Sequence, residues 1–368
     1  MACSFFSDSD GVNLFYAVDP DHKLDMPADT VWKPIPYTSE SLDVTLNKAQ
    51  SERVGIRHHV DQATVSGSVS GSFTFEAHSS SLMDNMLISV LQSDQLLNLD
   101  EANPNWTEES VIYNGRTKRC FAFLKRVKIG SKYDFYLFRG MQIGSMTISV
   151  DTSSLVTVDI SVIGMGIGNP ESGKDVYYDI ENGQAPLDEG GWTFEDFVPY
   201  NAMRSGDEVS DITIADHNNL TIDHIPHSLT ITIDNQLREQ YAVGKNNRFA
   251  EGVASGRILT TIELSSYYLD STIVQAMMLD KGMATRVYLK NGDDVKYAFY
   301  ADFIKPQQSN LPKVGSADSD LFVELSFQCF QNAETGTIHI GKREPGYILL
   351  EDGNHFLLES NGKLYLEA

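Results

Sequence analysis

The strongest constraint on this chain is a period of two. Ser41–Leu46 (SLDVTL), Val65–Glu76 (VSGSVSGSFTFE), Met146–Val150 (MTISV) and Val156–Val162 (VTVDISV) alternate apolar and polar residues. So do Ile212–Ile214, Leu229–Ile233, Arg257–Leu264, Thr285–Leu289 and Phe322–Phe327. Strand side chains point alternately to two faces, so this pattern predicts many strands, each with one buried face. The clearest hairpin is TRVYLK-NG-DDVKYAFY, where Asn291-Gly292 supplies the positive φ angles of a two-residue type I′ turn. Asn114-Gly115 is a weaker second case.

Helical periodicity is scarce. Ser81–Leu91 places Leu82, Met86, Leu87 and Val90 on one face, with N-cap hydroxyls at Ser79–Ser81. Tyr267–Leu279 does the same with Leu269, Ile273, Ala276 and Met277. These helices occupy corresponding places in an internal repeat. Laying Ser41 over Ser228 aligns Glu52 with Glu239, Glu76 with Glu263 and Leu82 with Leu269 without a gap, an offset of 187 residues. At another offset Val158–Ser161 (VDIS) matches Val323–Ser326 (VELS) and closes each copy with a strand. The expected organisation is a first β-rich domain over 1–170, a Gly/Pro/Asn-rich linker over 171–206 and a second domain over 207–340. Residues 341–368 follow as an extension whose short apolar runs, each ending in Glu, predict a small β-meander.

Length and composition agree with two folded domains: 368 residues, 41% hydrophobic and 21% charged. No apolar run is long enough to span a membrane as a helix. The opening MACSFFSDSDGVNLFY has no basic or apolar region of signal-peptide type. Cys3, Cys120 and Cys329 are odd in number and far apart, which fits a reducing cytoplasm rather than a disulfide framework. The sequons at Asn105 and Asn219 then carry no weight. With 51 acids against 28 bases, the net charge is −23 and a broad nucleic-acid grip is excluded. Composition admits two roles for that acidity: solubility, or a wall past which DNA slides without sticking.

No motif asks for catalysis or a cofactor. Gly164-Met-Gly-Ile-Gly168 is followed by Asn169-Pro170 and not by the helix that a phosphate loop needs, so it reads as a flexible domain exit. His58 and His59 would point to opposite faces of a strand, and His224 and His227 lack a partner at ligand spacing. Asp8-Ser9-Asp10-Gly11 fails as a calcium loop, because Phe6 and Ala17 fall at ligand positions.

The ordered segments Trp32–Arg57 (WKPIPYTSESLDVTLNKAQSERVGIR), a strand ending in FTFE at Glu76, an amphipathic helix, Arg116–Val127, Tyr136–Val150 and Val156–Gly164 resemble the tail tube family of long-tailed bacteriophages. The likeness covers about Asn13–Gly168 directly and Asp211–Gln331 through the repeat; the second copy lacks the Trp start and has Arg238-Glu239-Gln240 where the first has Ser51-Glu52-Arg53. The resemblance implies a mainly β fold: two tandem tail-tube-type β-sandwich or barrel domains, each with one flanking helix. It implies rings, here trimers with pseudo-sixfold symmetry, stacked around a channel for the tape-measure protein and then the genome. It assigns ring stacking to the loops 47–64 and 234–250, with Glu52, Arg53, Arg57, Arg238, Glu239, Lys245 and Arg248. Asp43, Glu76, Asp234 and Glu263 are its candidates for the lumen. The implied partners are further copies of the chain, the tape-measure, tail terminator and distal tail proteins, and double-stranded DNA without tight binding, with no membrane, enzyme activity or cofactor. The implied location is the virion tail, assembled in the host bacterial cytoplasm. Competing readings are another phage ring protein (tail terminator or distal tail), a secretion tube, or a two-domain β-sandwich adhesin using Trp32, Trp106 and Trp192 as a carbohydrate platform.

Overall fold

The computed structural model describes residues 11–27, 29–50, 62–94, 110–129, 132–168, 176–177, 192–206, 209–216, 221–222, 224–243, 248–279, 282–291, 294–309, 311–312, 320–331, 336–342, 347–349 and 355–357. The first half contains β1 (Val12–Val18), β2 (Val31–Ile35), β3 (Tyr37–Glu40), β4 (Asp43–Gln50), β5 (Gln62–Glu76), α1 (Ser81–Val90), β6 (Ser110–Ile112), β7 (Phe121–Ile129), β8 (Lys132–Asp151), β9 (Thr157–Gly164), β10 (Gly166–Ile167), β11 (Val176–Tyr177) and β12 (Thr193–Phe194). The second contains β13 (Val209–Asp216), β14 (Thr221–Ile222), β15 (Ile225–Asp234), β16 (Arg238–Gln240), β17 (Gly252–Ala254), β18 (Leu259–Tyr267), α2 (Thr272–Met278), β19 (Met283–Asn291), β20 (Asp294–Ser309), β21 (Phe322–Cys329) and β22 (His339–Lys342). A last hairpin pairs β23 (Tyr347–Leu349) with β24 (His355–Leu357). The fold is mainly β, as the alternation predicts.

Two long strands organise it. In β8, Lys132–Met141 pairs with β7, while Gln142–Ser149 pairs with β9. The strand bends between these parts at Gly140, whose φ of +60° suits glycine. Beside the bend Arg139 is buried, with Nε and Nη2 donating to Asp19 at 2.9 Å each, while the Gly140 amide donates to Asp19 Oδ2 at 2.8 Å. Multiple bonds of this kind are what a buried charge requires. β20 divides likewise: Asp294–Ile304 pairs with β19 and Ile304–Ser309 with β21.

The same pairing order, β4-β5-β9-β8 and β15-β18-β21-β20, occurs in both halves. Even the β-bulge repeats: register shifts between Ile143 and Ser145 opposite Val162 and Ser161, and between Pro306 and Gln308 opposite Phe327 and Ser326. The halves then join edge to edge, because β8 pairs antiparallel with β15 from Ser145↔Asp234 to Asp151↔Ser228. One eight-strand surface results, in the order β4-β5-β9-β8-β15-β18-β21-β20. A single apolar cluster runs beneath it through Phe73, Met86, Ile148, Ile231, Leu264 and Phe327. A second cluster packs Trp32 on Trp192, with ring centroids 5.3 Å apart.

Several expectations need correction. Asn291 lies opposite Asp294 in the ladder, so it ends β19 instead of entering the turn. Asn114-Gly115 is no hairpin: Asn114 Oδ1 accepts from the Thr337 and Ile338 amides, and the Gly115 amide donates to the Leu91 carbonyl at 2.9 Å. Gly166–Ile167 continues along β8 as a strand and is not a loose exit. Residues 267–271 are not helical; Tyr267 closes β18 and α2 starts at Thr272, after Asp270 Oδ1 accepts its amide at 2.7 Å. Superposing the bulges explains that difference. It lays Ser161 on Ser326, Gly71 on Ile262 and Ser81 on Thr272, so β5 and α1 are displaced from β18 and α2 by 191 residues instead of 187. The discrepancy is even, so it leaves every side chain on its expected face.

Candidate functional site: a hydroxyl-lined face between two open edges

The surface of the eight-strand sheet opposite the core is polar in successive cross-strand rows. One row reads Glu76, Thr157, Ser149, Thr230, Glu263, Ser326. The next reads Thr74, Asp159, Thr147, Thr232, Thr261, Gln328, Lys305. The burial of β9 and β21 alternates accordingly, with the apolar partners Val158, Ile160, Val323 and Leu325 inside. Hydroxyl groups of the rows are tied to neighbouring polar side chains. Thr74 Oγ1 donates to Asp159 Oδ2 at 2.8 Å, Ser39 Oγ to Thr74 Oγ1 at 3.1 Å, and Ser326 Oγ to Gln307 Oε1 at 3.2 Å.

All four residues singled out for a lumen lie on this face. Asp43 stands opposite Ser70, Glu76 opposite Thr157, Asp234 opposite Ser145, and Glu263 opposite Thr230 and Ser326. Asp151, Asp159 and Glu324 share it, against the amines of Lys305 and, on the β4–β5 arm, Lys48. The field over the face is therefore negative, and its neutral part is a mat of small hydroxyls. Sequence reasoning found the acids singly and missed the mat. Its signal was the repeated Ser or Thr at the polar positions of each strand.

The loops expected to stack rings have different fates. The β4–β5 ladder extends to Gln50↔Gln62, so Asn47–Gln50 and Gln62–Thr64 are strand and not loop. Glu52, Arg53, Arg57 and Lys245 lie outside the described residues. In the second half, Arg238–Gln240 pairs with Gly252–Ala254 to form a small two-stranded sheet. The segment beside it docks on the first half at Gly67. The Gly67 amide donates to the Arg248 carbonyl at 2.8 Å, and a Cβ on Gly67 would meet the Phe249 ring at 2.6 Å. The Tyr241 hydroxyl lies 2.7 Å from Glu239 Oε2 and 3.1 Å from the Gly67 carbonyl. Burial first, then this carboxylate, pushes the Tyr241 pKa up to about 12. Arg238, Glu239 and Arg248 thus belong to a segment that seats on its own chain.

The sheet has two open edges. Among the described residues β4 is paired only through β5, and its outer edge carries no strand. β20 has β21 on one side at Gln308 and Ser309, with no strand among the described residues on the other. Elsewhere, a groove of about 580 Å³ lies between Val12–Phe15, Pro34–Thr38 and Phe194–Phe197, lined by prolines, aromatic rings, Arg126 and the carboxylates of Glu195 and Asp196. Its hydroxyls are engaged with backbone carbonyls, Tyr37 donating to Val12 at 2.8 Å and Thr38 to Thr74 at 3.2 Å. No cluster of His, Cys, Asp and Glu among the described residues is arranged to hold a metal ion. Burial raises the thiol pKa of Cys120 and pushes that of Cys329 up to about 12, opposite to what a nucleophile needs. Trp32 and Trp192 are buried in the second apolar cluster and leave no exposed aromatic platform there, while Trp106 lies outside the described residues. No described helix is long and apolar enough to cross a membrane.

No curated protein matches the chain. A family model described as phage tail tube protein does, over residues 16–329, ending at the last residue of β21 and so covering the whole eight-strand surface with both its edges. On that match the chain belongs to the phage tail tube protein family and is a structural component of a phage tail.

Proposed function

We propose that the chain is the ring-forming subunit of the tail tube, and that the hydroxyl-and-carboxylate face lines its channel. The single observation carrying this reading is that face itself: eight contiguous strands whose uncovered side is hydroxyl and acid, ending in an open edge at each side. A lining of neutral hydroxyls with scattered carboxylates offers phosphates no cationic foothold, and repulsion within a Debye length lets DNA slide. Tight binding would need lysines and arginines where serines and threonines stand. The protein acts by assembly and not by catalysis.

We take the two halves, about 1–170 and 207–340, as copies of one tube domain joined by 171–206, so three chains make a ring with pseudo-sixfold symmetry. Strand spacing supports three. Three chains with eight strands each close about 24 strands, and at ~4.8 Å per strand and a tilt of about 40° the backbone ring is roughly 50 Å across. Six chains would double that bore. Rings stack through the stretch of sequence between β4 and β5 that carries Glu52, Arg53 and Arg57, as the family resemblance implies. The finished channel holds the tape-measure protein, is closed by tail terminator and distal tail proteins, and later passes the genome; assembly occurs in the host cytoplasm. β22 still belongs to the main sheet through its pairing with β20 and β6, so we take only Pro345–Ala368, beyond it, as an outer decoration dispensable for assembly.

Electron microscopy and native mass spectrometry of the concentrated protein test this reading. Rings or tubes with three chains per layer are expected. Protein that stays monomeric at high concentration refutes the assembly, and six chains per ring refute the trimer.

A further inference from the structure

The β8–β15 junction inside the chain has the form of an interface between two copies, and the chain's free ends are the halves of another one. We propose that the open edge of β20 pairs antiparallel with β4 of the next chain in the register that β8 and β15 already display, and that α2 is covered by that neighbour. This rests on the ring reading above.

The register follows from the bulges. Superposing them lays Ser145 on Gln308 and Met146 on Ser309; on the other side, Asp234 falls on Thr45 and Ile233 on Val44. The internal pairs Ser145↔Asp234 and Met146↔Ile233 therefore translate to Gln308↔Thr45 and Ser309↔Val44 between chains. The faces agree without adjustment. Gln308 stands opposite Ser326 of the hydroxyl face and Thr45 opposite Ser68 of the same face. Ser309 stands opposite buried Leu325, and Val44 packs against the core cluster beside Val69. A slip of one residue would put Val44 into the channel.

Burial of the helices gives an independent observation. On α1, Leu87 and Ile88 are buried, and next to them the Val90 carbonyl accepts from Asn235 Nδ2 at 2.9 Å, across the internal junction. Their counterparts are Met278, the last residue of α2, and Leu279 just beyond it, which are 58% and 66% exposed. The position of Asn235 on β4 is Leu46, which is 43% exposed although it points to the core side of an edge strand. Joining the chains brings Leu46 to the end of α2, so two apolar surfaces that are each uncovered in one chain cover one another. Repeated head to tail, this heterologous contact closes a ring. It also removes both sticky edges.

The test uses full-length protein carrying Gln308→Cys with Thr45→Cys, oxidised after assembly and run on a non-reducing gel. Directly opposed residues lie about 4.5–5.5 Å apart at Cα, within disulfide reach, whereas positions two residues away lie at about 7–8 Å. Covalent dimers and trimers are expected for this pair, and at least a tenfold weaker yield for Gln308→Cys with Asp43→Cys or with Asn47→Cys. Each single-cysteine variant controls for the native thiols. Preferential linking of a slipped pair, or no linking in a sample whose micrographs show rings, overturns the register and leaves the ring reading standing. Absence of rings in the wild type overturns the ring reading itself. A second variant, Leu46→Asp, is expected to abolish assembly while the melting temperature of the monomer stays within a few degrees; unimpaired assembly refutes the apolar contact.

Discussion

The two short helices have corresponding places and opposite surroundings. α1 is capped by Ser80, whose Oγ accepts the Met83 amide at 3.3 Å, and eight of its residues, Leu82, Met83, Asp84, Met86, Leu87, Ile88, Ser89 and Val90, are buried. α2 buries Val274 but exposes Gln275 and Met278, and Leu279 just after it is exposed too. Helix-forming tendency does not account for this; what differs is the neighbour. Next to α1 stand β15 and β20 of the second half, with the Tyr297 hydroxyl donating to buried Asp84 at 2.9 Å. Beside α2 no such layer stands among the described residues. The lesson concerns where cohesion resides: the internal junction is finished within the chain, and in the proposed ring its counterpart is completed by the next molecule.

The widest gap between the two junctions is expected at their first strands. Ile233 is fully buried between β8 and β18, while Val44, its position in the first half, is half-buried on an open edge. Ile233→Ala removes core contacts and leaves a cavity, costing about 2–5 kcal/mol. Val44→Ala in the dilute monomer is expected to cost under about 1 kcal/mol, because water already reaches the site. Urea unfolding of both variants measures this. Equal losses would mean that the β4 edge is already covered within one chain.

A smaller effect is expected at the staple between α1 and β20. Tyr297→Phe removes a donor from a buried carboxyl group, a loss of about 1–3 kcal/mol. Gln275 occupies the position of Asp84 on α2 and is exposed, so Gln275→Ala should leave the monomer's unfolding midpoint unchanged. If both variants unfold alike, the hydroxyl–carboxyl contact contributes nothing to holding the halves together.

The strands of the eight-strand surface and both helices could be read, in whole or in part, from the sequence, because period-two and period-3.6 patterns are local properties; β1, β2, β3 and β7 are not marked by that alternation. The joining of β8 to β15 could not. MTISV and SLTITID are as well suited to an outer strand as to an inner one, and only the third dimension pairs them. The slip from 187 to 191 residues was invisible for a related reason: an even displacement preserves the alternation on which the alignment rested. Arg139 left a trace that went unread, a lone cation in the apolar run YLFRGM just before a glycine. The acids of the hydroxyl face were visible one at a time. Their assembly into rows with serine and threonine requires cross-strand register, which composition does not contain.

The smallest expected effect separates the corner where each core strand leads into its helix. In the first half that corner holds His78, buried, with its ring stacked on Tyr200 at 3.8 Å and Nδ1–H donating to the Glu76 carbonyl at 2.6 Å. The same displacement of 191 residues puts exposed Leu269 there in the second half. Desolvation holds the His78 pKa below the ordinary value of 6.5, and outweighs the upward pull of the Glu76 carbonyl and carboxylate. A depressed histidine stays neutral in the fold while the unfolded chain takes up a proton. Stability is therefore complete above about pH 6.5 and declines as pH falls from there toward the lowered folded value. His22 and His339 are also lowered by burial and act in the same direction, so one substitution removes only part of the slope. His78→Gln retains a donor for the Glu76 carbonyl but cannot titrate. Comparing urea midpoints at pH 7.5 and 5.5, the variant should lose less stability on acidification than the parent. An unchanged slope would mean that His78 is solvated enough to titrate normally, and the contrast with Leu269 would then be one of packing alone.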